Sequence, residues 1–108
     1  MAGERLGSLL KFLEETPKDA FLLYAIANEY RHDSPEKSKE YFKKLLEEHP
    51  NYLPAYYQAA QLYQDLGESD KASGLYKAGI VVATQQKELK TLAELQNAYI
   101  NFQIEEGL

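Results

Sequence analysis

Apolar residues along the chain recur at intervals of three and four, the period of an α-helix, and no stretch alternates at period two for long. Between the apolar segments lie residues that stop or start helices. Thr16-Pro17 and Asp19 close one segment and open the next, and Ser34-Pro35 reads as an N-cap followed by Pro at the first helical position, where its missing N–H costs nothing. His49-Pro50-Asn51 ends a helix, Pro54 starts another, and Leu66-Gly67 ends that one, since Gly tolerates the left-handed conformation past a helix C-terminus. Ser69 is expected to cap the following helix and Gly107 to end the last. The pattern predicts six helices, over about 4–15, 19–32, 35–49, 53–66, 69–84 and 87–106, and no strand. The softest boundary is Thr84-Gln85-Gln86, which lacks Gly and Pro, so that the last two helices could run together.

The chain also resembles itself. Ser38, Tyr41, Phe42, Leu45 and Leu46 recur as Ala72, Leu75, Tyr76, Gly79 and Ile80, all 34 positions later. Leu23, Tyr24, Ile26, Ala27 and Tyr30 recur as Tyr56, Tyr57, Ala59, Ala60 and Tyr63 with an offset one shorter, which places a single-residue deletion at the His32-Asp33 turn. Backwards, Phe42, Leu45, Leu46 and Pro50 echo as Leu9, Phe12, Leu13 and Pro17.

A helix–turn–helix repeat of this length resembles the tetratricopeptide repeat. The residues that carry the likeness are Tyr56, Ala59-Ala60, Tyr63, Gly67, Ala72 and Tyr76 in one unit and Leu23, Ala27, Tyr30, Phe42 and Pro50 in the other. Departures fall at Ser38, where the family prefers Ala, at Leu45, where it prefers a small residue, and at Thr84, where it has a closing Pro. The resemblance implies an all-α, right-handed helix–turn–helix repeat solenoid. Its parts would be a leading half-repeat helix 4–15, repeat 1 over 19–50, repeat 2 over 53–84 and a capping helix 87–106, in a single domain 1–108. Small residues such as Ala60 and Ala72 would let paired helices approach closely, and large ones would fill the space to the next pair. Tyr30, Tyr63, Tyr76 and Tyr99 fall at expected core positions, and Leu89, Leu92, Leu95, Tyr99 and Phe102 give the last helix an apolar side. Gln96 stands where a third repeat would need a small residue, which favours a cap.

The resemblance further implies a concave, ligand-facing wall on the first helix of each repeat. Tyr24, Asn28 and Arg31 would line it in the first repeat and Tyr57, Gln61 and Gln64 in the second. Tyr supplies contact area with a hydrogen-bonding tip, and amides and Arg supply polar partners, a mixture suited to peptide binding; the alternative is that both Tyr only pack between helices. Family members that clamp acidic chaperone tails use a set of Lys, Asn and Arg that only Asn28 clearly matches here. Tyr24 stands in for the first Lys, Gln58 for the second Asn, Lys90 is the candidate second Lys, and Glu94 lies near the expected Arg. A co-chaperone role is therefore disfavoured.

Composition narrows the classes further. With 44% hydrophobic and 27% charged residues in 108, this is a folded chain of one-domain size. A net charge of −5, with the densest basic stretch Lys37–Lys44 interrupted by Glu40, argues against nucleic acid and anionic membrane as partners. No Cys is present, which removes thiolate metal sites and cysteine nucleophiles. His32 and His49 are placed for turn and capping roles, and Glu14-Glu15, Glu47-Glu48 and Glu105-Glu106 are adjacent on helices, so they do not share a face as paired carboxylates must. No catalytic residue, cofactor or metal is expected. The expected function is a non-enzymatic adaptor that binds a protein or peptide in the groove, with self-association through the terminal helices as a second reading. The start of the chain lacks the apolar run of a signal peptide and no run is long enough to span a bilayer, which makes a cytoplasmic location the expectation.

Overall fold

The computed structural model describes residues 2–107; Met1 and Leu108, the outermost residues of the expected domain, lie outside the described residues. Six helices run in order: α1 (Ala2–Glu15), α2 (Ala20–Tyr30), α3 (Pro35–Glu48), α4 (Leu53–Asp65), α5 (Ser69–Gln86) and α6 (Leu89–Glu106). There is no strand among the described residues. The chain divides into two compact units, one up to Ala55 and one from Tyr56 onward.

Local chemistry accounts for most helix ends. Asp19 caps α2 by accepting a hydrogen bond from the Leu22 N–H at 2.9 Å. Pro35 opens α3, with Ser34 in the cap position but without a side-chain cap bond. Gly67 adopts φ +75°, and the Glu68 N–H then reaches back to the Tyr63 carbonyl, closing α4. The expected cap at Ser69 is corrected: Glu68 holds that position, and the Ser69 hydroxyl instead donates to the Glu106 carboxylate at the end of α6. The soft boundary resolves into two helices. α5 runs two residues beyond 84, with the Thr84 hydroxyl bonded to the Ile80 carbonyl, and stops where Lys87 takes a left-handed φ of +58°. The Glu88 N–H completes that stop on the Ala83 carbonyl.

In the first unit α2 packs on α3 and α1 packs on α2. Leu23, Ile26, Ala27, Phe42 and Leu45 are buried. Ser38, where the repeat pattern prefers Ala, is fully buried and donates its hydroxyl to the Ala27 carbonyl at 2.6 Å. A hydroxyl fits in the narrow space because it has a partner there; left unpaired it would cost about 1–3 kcal/mol. α1 buries Leu9 and Leu13, while Phe12, the echo of fully buried Leu45, is 59% exposed.

In the second unit α5 packs on α6. Tyr76 is fully buried, with its ring 5.8 Å from Tyr99 and 5.5 Å from Phe102. The closest approach is at Gly79, where an added Cβ would stand 2.7 Å from the Tyr56 Cβ. Glycine lets α5 lie against α4 at that point.

Two core expectations are corrected. Of the four Tyr placed in the core, only Tyr76 is fully enclosed; Tyr30, Tyr63 and Tyr99 are half-buried. Tyr30 and Tyr63 sit at the edge, where Lys37 and Lys71 lie over their rings at 5.4 and 6.0 Å. Leu89 is 75% exposed, because six residues along α6 rotate it roughly 120° from Leu95.

Two outcomes follow for stability. Gly79→Ala should cost about 1–3 kcal/mol by pushing α5 off Tyr56, measured as a lower denaturant midpoint. Lys87→Gly should raise the midpoint, since it removes about 1 kcal/mol of left-handed strain from a non-glycine residue.

Candidate protein-interaction site

On α2 the expected wall residues Tyr24, Asn28 and Arg31 follow at helical spacing, with Arg31 at the C-cap. Tyr24 is half-buried and leans its ring on Tyr52, 5.5 Å away at 54°. Burial, then the neighbouring Tyr24 and Asp19, push the Tyr52 hydroxyl above the ordinary tyrosine value. Tyr24 and Asn28 meet at a recess of about 280 Å³ that Arg5, Phe21, Ala25 and Glu29 complete. Arg5 pairs with Glu29 at its margin. Phe21, one turn before Tyr24 and 59% exposed, extends the aromatic surface. Sequence reasoning passed over Phe21; the available signal was a large aromatic out of phase with the buried stripe Leu23, Ile26 and Ala27.

On α4 the wall residues have internal partners. Tyr57 is half-buried. Gln61 donates its amide to the Tyr76 hydroxyl at 3.3 Å, and that hydroxyl donates to the Gln64 carbonyl oxygen at 2.7 Å. Gln64 in turn donates to the Glu105 carboxylate at 2.9 Å. Ser73 meets the Tyr99 hydroxyl at 3.2 Å beside them. The two glutamines thus satisfy a buried phenol that would otherwise be an expensive orphan. Burial raises the Tyr76 pKa above 10.0; the Gln61 bond opposes this, and Tyr57, Asp65 and Glu105 add to it. Tyr24, Asn28 and Arg31 belong to the first unit and Tyr57, Gln61 and Gln64 to the second.

Among the described residues no three His, Cys, Asp or Glu are grouped to hold a metal ion, and no helix is long and apolar enough to cross a membrane. His49 serves structure: its imidazole Nε2 bonds the Lys18 carbonyl at 2.5 Å, tying the α1–α2 turn to the end of α3.

The tetratricopeptide repeat family model matches residues 30–95, and the chain belongs to that family. A solution NMR structure of a tetratricopeptide repeat domain protein from Salinibacter ruber superposes with a TM-score of 0.75 at 37% identity, covering 80% of this chain and 88% of that one. A crystal structure of a tetratricopeptide repeat domain protein from the same organism gives 0.73 at 36% identity, covering 79% and 97%. The pre-mRNA-splicing factor CLF1 of Eremothecium gossypii is 29% identical over 87 residues, which are 81% of this chain; the chain spans 13% of that relative's length. The all-α repeat class read from the sequence is therefore the fold of the protein, and its general role is that of a protein–protein interaction module, a family role that is typically non-enzymatic.

Tyr76→Phe removes the hydroxyl that Gln61 and Gln64 share and should cost about 0.5–1.5 kcal/mol. The same group sets an alkaline limit. Because the folded pKa lies above the unfolded value of 10.0, its contribution is complete below pH 10.0 and is lost as pH climbs through the raised value. Denaturant midpoints measured from neutral pH into the alkaline range should fall above pH 10.0, and fall less steeply in Tyr76→Phe.

Proposed function

We propose that the first helix of each repeat binds a peptide or protein segment, through Tyr24, Asn28 and Arg31 on α2 and Tyr57, Gln61 and Gln64 on α4. The observation that carries this reading is the surface at Tyr24. A half-buried Tyr, an exposed Phe21 and the Asn28 amide share one recess with the Arg5–Glu29 pair at its margin. Such a surface combines apolar area with a few placed polar groups, the composition of protein interfaces. Tyr57 holds the equivalent position in the next repeat and is likewise half-exposed. The Tyr76 hydrogen bonds hold Gln61 and Gln64 in fixed positions, which lowers the ordering cost of using their remaining polar capacity. Membership of the family and similarity to a splicing factor support protein as the ligand class. The protein acts here as an adaptor, without chemistry of its own.

The test is selection of peptides from a random display library on the wild-type protein, followed by calorimetry. Tyr24→Ala combined with Tyr57→Ala should weaken the selected peptides about thirtyfold, near 2 kcal/mol, while the circular dichroism spectrum stays helical. Peptides that bind the double variant at wild-type strength would remove both Tyr from the site, and an unfolded double variant would make them core residues. Acidic chaperone-tail peptides should bind more weakly than roughly 100 μM, because the cationic set that clamps such tails is mostly absent.

A further inference from the structure

The recess on the first unit lies between α2 and the Arg5 side chain of α1. Phe21 and Ala25 give it apolar surface, and Tyr24, braced by the Tyr52 ring 5.5 Å away, gives it a second aromatic. Two charged side chains line it, Arg5 and Glu29, and they form an ion pair with each other. They are unequally exposed: the Glu29 side chain is 20% exposed and the Arg5 side chain 64%. The carboxylate therefore belongs to the inside of the recess and the guanidinium to its rim. An enclosed cavity of about 150 Å³ holds a benzene molecule. An open recess of about 280 Å³ thus has room for one aromatic side chain and part of the backbone that carries it.

We propose that this recess seats one tryptophan or tyrosine side chain of a partner protein, an assignment that rests on the binding role proposed for α2. The incoming ring lies against Phe21 and Tyr24, and its N–H or O–H donates to the Glu29 carboxylate. Aromatic rings already held in place favour a further ring, offset or edge-on, by more than the buried area alone. Glu29 accepts from the Arg5 Nε–H through Oε1, and a carboxylate has about four acceptor sites, so Oε2 can take a second donor. A side chain that covers this carboxylate moves it further from water, and a donor on that side chain offsets the cost. Charge excludes the alternatives. A Lys or Arg would come up against Arg5, and an Asp or Glu against Glu29. The indole N–H and the phenol O–H are donors on large aromatic side chains that carry no charge at neutral pH. At the rim, the Arg5 Nη groups and the Asn28 amide are donors for the backbone carbonyls that flank the anchor.

N-acetyl-tryptophanamide and N-acetyl-tyrosinamide serve as single-residue probes. In heteronuclear NMR of the whole chain, each should shift the backbone amides from Phe21 to Glu29 and the side-chain amide of Asn28. The dissociation constant should fall in the low millimolar range, as for other ligands of this size. N-acetyl-phenylalaninamide, which has the ring but no donor, should bind about tenfold more weakly. N-acetyl-leucinamide and N-acetyl-argininamide should bind more weakly still. Added salt should leave the affinity of the tryptophan probe nearly unchanged, because the probe carries no charge. Glu29→Gln should narrow the preference for tryptophan over phenylalanine. Phe21→Ala, at a side chain 59% exposed, should weaken both probes by a similar factor with an unchanged thermal melt.

The assignment is overturned by an absence of shifts on α2 at the solubility limit of the probes, or by phenylalanine binding as tightly as tryptophan. It is equally overturned if the arginine probe binds tightest or if the tryptophan preference survives Glu29→Gln unchanged. The anchor and the binding wall fail separately. Display peptides that lose affinity for Tyr24→Ala with Tyr57→Ala, yet carry no Trp or Tyr anchor, would overturn the aromatic anchor alone. Peptides indifferent to that double change would remove the wall itself.

Discussion

Two helices can share a core only as closely as the residues between them allow, and in this protein that spacing is set by a few small side chains. Ser38 against the Ala27 carbonyl brings α3 onto α2, and Gly79 against Tyr56 brings α5 onto α4. A larger residue at either point would separate the pair and expose what lies beside it: Phe42 and Leu45 in the first unit, Tyr76 in the second. Ser38 also shows why a departure from the usual Ala is tolerated. The hydroxyl needs a buried acceptor, and a helix carbonyl within reach supplies one without adding a bulky group.

The close spacing in the second unit creates a polar problem and solves it. A fully buried tyrosine must place its hydroxyl somewhere, and here it accepts from Gln61 and donates to Gln64, which in turn donates to Glu105. The wall of α4 is thus part of the internal network as well as a candidate contact surface. The wall of α2 differs: its aromatic and amide groups open onto a recess rather than onto a buried phenol. Under the proposed reading, stability and binding are separable on α2 and coupled on α4, a physical asymmetry between two repeats that look alike in sequence.

The family is typically one of interaction modules, and in such a module the apolar groups that the fold leaves exposed are candidate contact surfaces. Phe21 beside Tyr24 is such a group. Around the recess polar and aromatic groups mix, a composition suited to a peptide.

The helices were legible in the sequence because helix formation is local. A period of three and four, a Pro at the first turn, an aspartate cap and a glycine in the left-handed region act within a few residues of one another, and the repeat offset joined them into pairs. The family followed from the same marks. The candidate site was legible only as positions: the repeat register named Tyr24 and Tyr57, but not that Tyr24 would lean on Tyr52, that Phe21 would join it, or that Gln61 and Gln64 would turn to Tyr76. Nor did it separate Tyr76 from Tyr30, Tyr63 and Tyr99, all equally large and in phase with the core, or place Leu89 outside. Each of these depends on a partner in another helix, and the distance and angle of that partner arise from packing. The pattern along the chain determined which segments are helical and which residues could face a neighbour. Tertiary structure decided which of them do, because burial and hydrogen bonding are properties of pairs brought together only by the fold.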